Sequence, residues 1–365
     1  MIVFFALIVI VVIAIALFMQ QQKFGNLPSG NRLERIKKSP NYRDGSFQNL
    51  SNTPALTEGV SYTKLMKEFF FSDKKKLRPL SNIPSVKTNL LTLDPSQDIL
   101  IWFGHSSYFM QIDGKKILVD PVFSGHASPL STSIKAFNGT DRYTSEDIPE
   151  IDYLFISHDH WDHTDYETLL ELKPKIMKII TGLGTGEHFE KWGFDTLLIH
   201  EKDWNEELIL DSGFVVHTVP ARHFSGRGLS RNKALWTSFA LLTPNHKIFI
   251  GGDSGYDSHF EKAGEKFGYF DVAILENGQY DKSWKYIHMM PEQVLQASKD
   301  LKAKRLFPVH SSKFALGNHS WDEPLTKISE LNKEQKLKLM TPIIGEIVNL
   351  NDTNQVFAEW WKGIY

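Results

Sequence analysis

Tyr153-Leu154-Phe155-Ile156-Ser157-His158-Asp159-His160-Trp161-Asp162-His163-Thr164 joins a short apolar run to three histidines and two aspartates within six positions. Four apolar residues bounded by polar ones read as a buried strand. The histidines and aspartates then crowd the turn beyond its C-terminal end. On an ordinary solvated turn so many imidazoles and carboxylates would repel one another or stay idle. Gathered at a strand end, they are nitrogen and oxygen donors for a metal ion. Thr164 and Glu167 have capping-box spacing, so a helix is expected to start at once.

Working outward, sites in sheet proteins with helices are built at the C-terminal ends of strands. Three further donors meet that rule: His223 after Phe214–Val219, Asp253 after Lys247–Ile250, and His310 after Arg305–Val309. Alone, a histidine after a strand is more often a packing or surface residue. With His158, His160, Asp162 and His163 they make a set large enough for two ions. The chain contains no cysteine, which excludes disulfides and thiolate ligands. Its 41 Lys and Arg nearly balance 43 Asp and Glu, so no basic stripe argues for nucleic acid.

The remaining pattern is of short β-branched runs alternating with turn signals and helical stretches. Expected strands are Ile99–Phe103, Tyr108–Ile112, Lys116–Val119, Tyr153–Ile156, Lys178–Ile180, Thr196–Ile199, Glu207–Leu210, Phe214–Val219, Ser238–Leu242, Lys247–Ile250, Val272–Leu275 and Arg305–Val309. Asp113-Gly114 marks a hairpin. Expected helices are Asp165–Leu172, Gly184–Trp192, Ser258–Phe267, Pro291–Leu301 and Pro324–Leu331. Such a mixture gives a layered α/β body.

The N-terminus has a different character. Ile2 to Met19 is apolar and uncharged, and at about 1.5 Å per helical residue it is close to a bilayer core of about 30 Å. It lacks the basic start and small-residue cleavage site of a signal peptide. A transmembrane anchor over residues 1–20 is expected. Lys23, Arg32, Arg35, Lys37, Lys38 and Arg43 follow, opposed only by Glu34 and Asp44, which puts the body on the cytoplasmic side of a single-pass membrane protein. Residues 21–85 read as a juxtamembrane leader of little regular structure, with a short helix at Ser61–Phe71 and a charged stretch at Asp73–Arg78. Residues 86–365 read as the folded domain that carries the metal donors.

The order His158-x-His160-x-Asp162-His163, His223, Asp253, His310 resembles the metallo-β-lactamase superfamily over about residues 98–312. The resemblance implies an αββα sandwich with two zinc ions at one edge. His158, His160 and His223 would hold one, Asp162, His163 and His310 the other, and Asp253 would bridge them. Iron oxidoreductases of this fold carry Glu at the second motif position, so His160 leans towards zinc hydrolysis. Gly104-His105-Ser106, Leu118-Val119-Asp120-Pro121, Pro220-Ala221-Arg222-His223, Gly252-Asp253-Ser254-Gly255-Tyr256 and His288-Met289-Met290-Pro291-Glu292 look like the branch of the phospholipase D that hydrolyses N-acyl-phosphatidylethanolamine. Ascorbate-phosphate lactonases are more distant. Glu276-Asn277-Gly278-Gln279-Tyr280 departs from that branch where the pocket is expected, which leaves the substrate open and marks Gln279 and Tyr280 as possible substrate contacts.

Within that reading, hydroxide shared between two ions attacks phosphorus or carbonyl carbon. Asp162 ligates and orients it, and His288 is the candidate leaving-group acid. Asp120 is expected to orient a ligand histidine from behind. His105 has a structural hydrogen-bonding role or a substrate contact. Ser106, Ser107 and Ser254 carry no nucleophile motif. The leading expectation is a phosphodiester such as an N-acyl-phosphatidylethanolamine-like phospholipid, with membrane lipid as both substrate and anchor and no nucleic-acid partner. The alternatives are a soluble lactone or phosphorylated small molecule, and a non-catalytic zinc-binding envelope protein. The oligomeric state stays open.

Overall fold

The computed structural model describes residues 2–61, 63, 65–67 and 76–364. After helix α1 (Ile2–Met19), the leader itself holds helix α2 (Gly30–Lys37) and a small hairpin, β1 (Tyr42–Arg43) with β2 (Ser46–Phe47). It is therefore more regular than its composition suggests. The expected helix Ser61–Phe71 and charged stretch Asp73–Arg78 fall partly outside the described residues, which there comprise 61, 63, 65–67 and 76–78.

The first sheet is built from β3 (Ile99–Trp102), β4 (Tyr108–Ile112), β5 (Lys115–Val119) and β6 (Tyr153–Ile156). After α3 (Tyr166–Leu172) come β7 (Ile179–Gly182), α4 (Gly186–Lys191) and β8 (Ile199–Lys202). The second sheet contains β9 (Glu207–Ile209), β10 (Val215–Val219), β11 (Ser238–Leu242) and β12 (Lys247–Ile250). It continues through α5 (His259–Phe267), β13 (Val272–Glu276), α6 (Pro291–Asp300) and β14 (Leu306–Val309). Helix α7 (Glu323–Gln335) and β15 (Ile347–Asn349) follow. The strand orders are β15-β3-β4-β5-β6-β7-β8 and β14-β13-β12-β11-β10-β9.

Side-chain alternation explains the layering. In β3, Leu100 and Trp102 face the space between the sheets, where they join Phe155, Phe239, Ile250, Ile274 and Phe307. Ile99 and Ile101 face the other way, into a layer with Leu169, Leu172 and Phe189 of the helices. On the second sheet Ala240, Phe249, Ala273 and Leu275 point outward to Phe260, Val294, Ala297 and Ile328. Both faces of each sheet are thus apolar, which is why the strands read as continuous hydrophobic runs. The result is the expected αββα sandwich. At Asp113 (φ 47°) and Gly114 (φ 74°) the expected hairpin turn joins β4 to β5.

Some local expectations shift. Thr196–Leu198 is a 3₁₀ turn because the Asp195 carboxylate accepts the Leu197 N–H, so β8 begins only at Ile199. The capping box at Thr164 does not form. Its hydroxyl donates to the His158 carbonyl at 2.7 Å, and Asp165 is the residue before α3.

The transmembrane anchor is also corrected. Helix α1 has 18 residues, a length of about 27 Å that falls short of a hydrocarbon core of about 30 Å. Among the described residues no helix is long and apolar enough to cross a membrane. The last turn of α1 leads directly into the body, with Phe18 edge-on to Phe24 and Phe24 edge-on to Trp161. The single-pass topology, the cytoplasmic-side location and lipid as an anchoring partner all rested on that run and are withdrawn with it.

Candidate metal centre

The strand-end residues converge where the two sheets open. His158 Nε2 is 2.8 Å from His160 Nδ1, and His223 Nε2 is 3.3 Å from the same atom. Asp253 Oδ2 is 3.8 Å from His158 Nε2 and 3.7 Å from His223 Nε2. These four residues offer donor atoms that all lie within 4.8 Å of one another. Beside them is a second such group, His105, Asp162, His163 and His310. Asp253 links the two: its Oδ2 is 3.2 Å from His163 Nε2 and its Oδ1 is 3.2 Å from His310 Nδ1. The structure thus brings together all seven donors picked out by strand-end position, and it adds His105.

The chemistry of this set fits divalent cations. His163 Nε2 and Asp253 Oδ1 are fully buried without a hydrogen-bond partner among the described residues. An orphaned buried polar atom costs on the order of 1–3 kcal/mol unless something satisfies it. Burial holds His158, His223 and His310 well below the ordinary imidazole range, so they are neutral and free to ligate. Burial works against charge on His163 as well, but Asp253, Asp162 and Asp120 outweigh it and raise this group. Three carboxylates facing one imidazole are a concentration of negative charge that cations would offset.

A surrounding layer fixes the donors. The Asp120 carboxylate accepts from Ser157 N at 2.9 Å and Ser157 Oγ at 2.6 Å, and it meets His163 Nδ1 at 2.8 Å. That contact leaves Nε2 facing the centre. His105 Nε2 is 2.8 Å from Asp162 Oδ2. His223 Nδ1 is 2.9 Å from the Ile287 carbonyl, which again leaves Nε2 inward. Asp120, His105 and His310 all have left-handed backbones, with φ of 41°, 53° and 68°. Such conformations cost non-glycine residues about 1–3 kcal/mol each and gather where function demands them. Gly252 (φ 59°) also serves the site, since a Cβ there would come within 2.7 Å of Ser157 Cβ.

Other residues take less direct places. Asp159, although inside the motif, turns away, accepting from Gly226 N at 2.6 Å with His188 Nε2 at 3.2 Å. Ser106 Oγ is 2.8 Å from His310 Nδ1, and Ser107 Oγ donates to the Asp120 carbonyl. Gln279 lines the cavity. Its side-chain oxygen accepts from Leu316 N and Gly317 N, which shapes the loop after β14. The Tyr280 hydroxyl instead donates to Glu323 of α7, away from the cavity lining.

His288 stands at the rim of the donor set, its ring 5.0 Å from that of His223 and 5.3 Å from that of His310. Its partner, Glu276, is wholly buried at the end of β13, with Oε2 at 2.5 Å from His288 Nδ1 and Oε1 accepting from Met289 N at 2.7 Å. Burial opposes the charge on His288, but Glu276 outweighs it and raises His288 to about 9. The strand-end rule that selected Asp253 and His310 would also have found Glu276, a carboxylate closing an apolar strand. The cavity here is about 520 Å³. Phe224, Trp284, Ile287 and Leu316 form apolar walls, and Arg231 is at the mouth.

Residues 115–311 match the family model described as the beta-lactamase superfamily domain. The chain belongs to the β-lactamase superfamily. A Mycobacterium tuberculosis protein described as uncharacterized is 35% identical over 330 residues, covering 89% of this chain and 88% of its own. An N-acyl-phosphatidylethanolamine-hydrolyzing phospholipase D of Caenorhabditis elegans is 30% identical over 335 residues, covering 84% and 91%. Among solved structures, a metallo hydrolase from Ignicoccus hospitalis matches with a TM-score of 0.54 at 21% identity, over 69% of this chain and 98% of its own. With this fold and these donor clusters, the superfamily member is a metal-dependent hydrolase with a dinuclear-type site.

Proposed function

We propose that this protein hydrolyses a small phosphorylated or lactone substrate with two zinc ions. His158, His160 and His223 would hold one ion, Asp162, His163 and His310 the other, with Asp253 between them. When bound, such a pair supplies Lewis acidity, which lowers the pKa of water and offsets developing negative charge. The chain's own residues supply the rest. Asp162, braced by His105, orients the attacking water. Water's oxygen bonds to phosphorus or carbonyl carbon as the ester bond breaks, and the proton it sheds passes to solvent, from which His288 is later reprotonated. His288, held at Nδ1 by Glu276, gives a proton from its other nitrogen to the departing oxygen.

The observation that carries the substrate reading is the cavity. A volume of about 520 Å³ suits a small molecule or headgroup. Among the described residues no helix is long and apolar enough to cross a membrane, so the expected anchor does not support a lipid substrate here. A second reading, a phosphodiester in a phospholipid, is favoured by the activity for which the C. elegans relative is named. The test is a panel with zinc-loaded protein: a soluble phosphodiester, a phosphomonoester, a lactone, and vesicles containing N-acyl-phosphatidylethanolamine. Turnover of a soluble substrate with vesicles ignored is expected. Release of phosphatidic acid from the vesicles alone would favour the second reading, and no turnover of any member contradicts both.

A further inference from the structure

His223 lies in the long connection between β10 and β11, beyond the reach of either sheet ladder. Among the described residues neither its N–H nor its carbonyl has a backbone partner. Both groups are met by a single side chain from the leader. Asn49 Oδ1 accepts from His223 N at 3.1 Å, and Asn49 Nδ2 donates to the His223 carbonyl at 2.8 Å. This two-point contact imitates a strand pairing. The same Oδ1 accepts from Nε1 of the fully buried Trp236 at 3.1 Å, which fixes the carboxamide.

The rest of the leader grips the same connection on either side. Phe47 N donates to the Asn232 carbonyl at 2.9 Å. Arg222 Nε donates to Thr53 Oγ1 at 2.9 Å, and its Nη2 to the Asn52 carbonyl at 2.7 Å. Beyond these contacts, Ala55 and Leu56 form part of the cavity wall. Asn49 lies well before residues 115–311, the stretch that matches the family model.

We infer that Asn49, reaching in from the leader, is a positioning residue of the metal centre that holds His223 through its backbone. The physical argument is one of constraint. The His223 ring is tied at Nδ1 to Ile287, so the inward aim of Nε2 depends on where the backbone sits. Asn49 fixes that backbone in two directions. Loss of the carboxamide leaves two polar groups unpaired and lets the loop swing, which weakens only the cluster of His158, His160 and His223. Loss of a supporting contact around metal ligands typically costs 10- to 100-fold in affinity. The inference rests on the two-ion reading and is independent of the substrate.

The experiment uses the full chain loaded with zinc and dialysed against rising concentrations of a chelator, with zinc per chain measured at each step. Asn49→Ala is expected to lose one of its two ions at 10- to 100-fold lower chelator than the unaltered chain, while the second ion is retained as before. Asn49→Asp keeps the accepted bonds from His223 N and Trp236, loses the donated one, and falls between. Thr53→Ala loosens the leader without touching His223 and keeps both ions. Retention of both ions by Asn49→Ala, equal loss of both, or the same loss in Thr53→Ala would overturn the inference. If Asn49→Ala does not fold, Asn49→Asp carries the same comparison. An unaltered chain that binds no zinc overturns the two-ion reading and this inference together, whereas unaltered release in the variants overturns this inference alone.

Discussion

Asp120 shows how one side chain sets the state of another. Its carboxylate is spent on Ser157 and on His163 Nδ1, so His163 can present only Nε2 to the centre. Asp120→Asn replaces one acceptor oxygen with a donor and removes a charge. We expect zinc affinity to fall about 10- to 100-fold with the fold intact, measured by competition with a chelator. An unchanged affinity would reduce Asp120 to a turn residue. Glu276 makes the parallel case for His288. With Glu276→Gln the negative partner that keeps His288 protonated is gone, while a hydrogen-bond acceptor remains. Turnover should fall by about 100-fold, the lower range for a lost general acid, at unchanged zinc content. A Glu276→Gln enzyme with full turnover would remove His288 from the acid role. Several of these pairings could not be read in the sequence. The strand-end positions of His223, Asp253 and His310 were legible because each follows an apolar run. The contact of His105 with Asp162 was not, because 57 positions separate them and nothing local marks His105 as belonging to the donor set.

At the scale of elements, the leader is bound to the body by charge as well as by apolar packing. Arg32 of α2 reaches Glu187 and Glu190 of α4 and Glu201 of β8, with 2.7 Å to Glu187 and 2.6 Å to Glu201. The arginine side chain is only 13% exposed. Arg32→Ala would strand three carboxylates, two of them largely buried. Breaking a buried pair costs about 3–5 kcal/mol, and partial exposure brings the expectation here to about 2–4 kcal/mol in urea unfolding. Protease cleavage in the leader should rise with it. A loss under about 1 kcal/mol would class the cluster with ordinary surface pairs.

Helix α5 offers a pH-dependent test. Burial pushes His259, at its first turn, down to about 3. The unfolded chain takes up this proton near pH 6.5 and the folded chain resists it until about 3. The stabilisation is therefore complete above pH 6.5 and is lost as pH falls through that window, by up to about 1.4 kcal/mol per pH unit. His259→Gln should flatten the fall in stability between pH 6 and 4 relative to the unaltered chain. Parallel profiles for the two would show that His259 is protonated in the folded state.

For the whole molecule, the sandwich was legible because hydrophobic runs of fixed length are local. β6 and β12 appear in the structure with the bounds their composition suggests. What failed depended on length or on distant partners. β15 is a strand of three residues, recognisable only by its pairing of Val348 with Leu100. The leader was read as irregular because its polar composition hides the few residues, Ile36 and Phe47 among them, that pack on Trp204 and Trp236. The N-terminal run was read as an anchor from its apolar composition and a length close to that of the bilayer core, yet among the described residues no helix is long and apolar enough to cross a membrane.

The central claim is that two groups of nitrogen and oxygen donors around Asp253 form one hydrolytic metal centre. The most direct measurement is a titration of metal-free protein with zinc, following both zinc bound and hydrolysis of an activated soluble phosphodiester. We predict that hydrolysis is absent without zinc and rises until about two ions are held per chain, as expected for a two-metal site. In His160→Ala it should stay near background throughout. Full hydrolysis by the metal-free protein, or an activity in His160→Ala equal to that of the unaltered chain, would contradict the account.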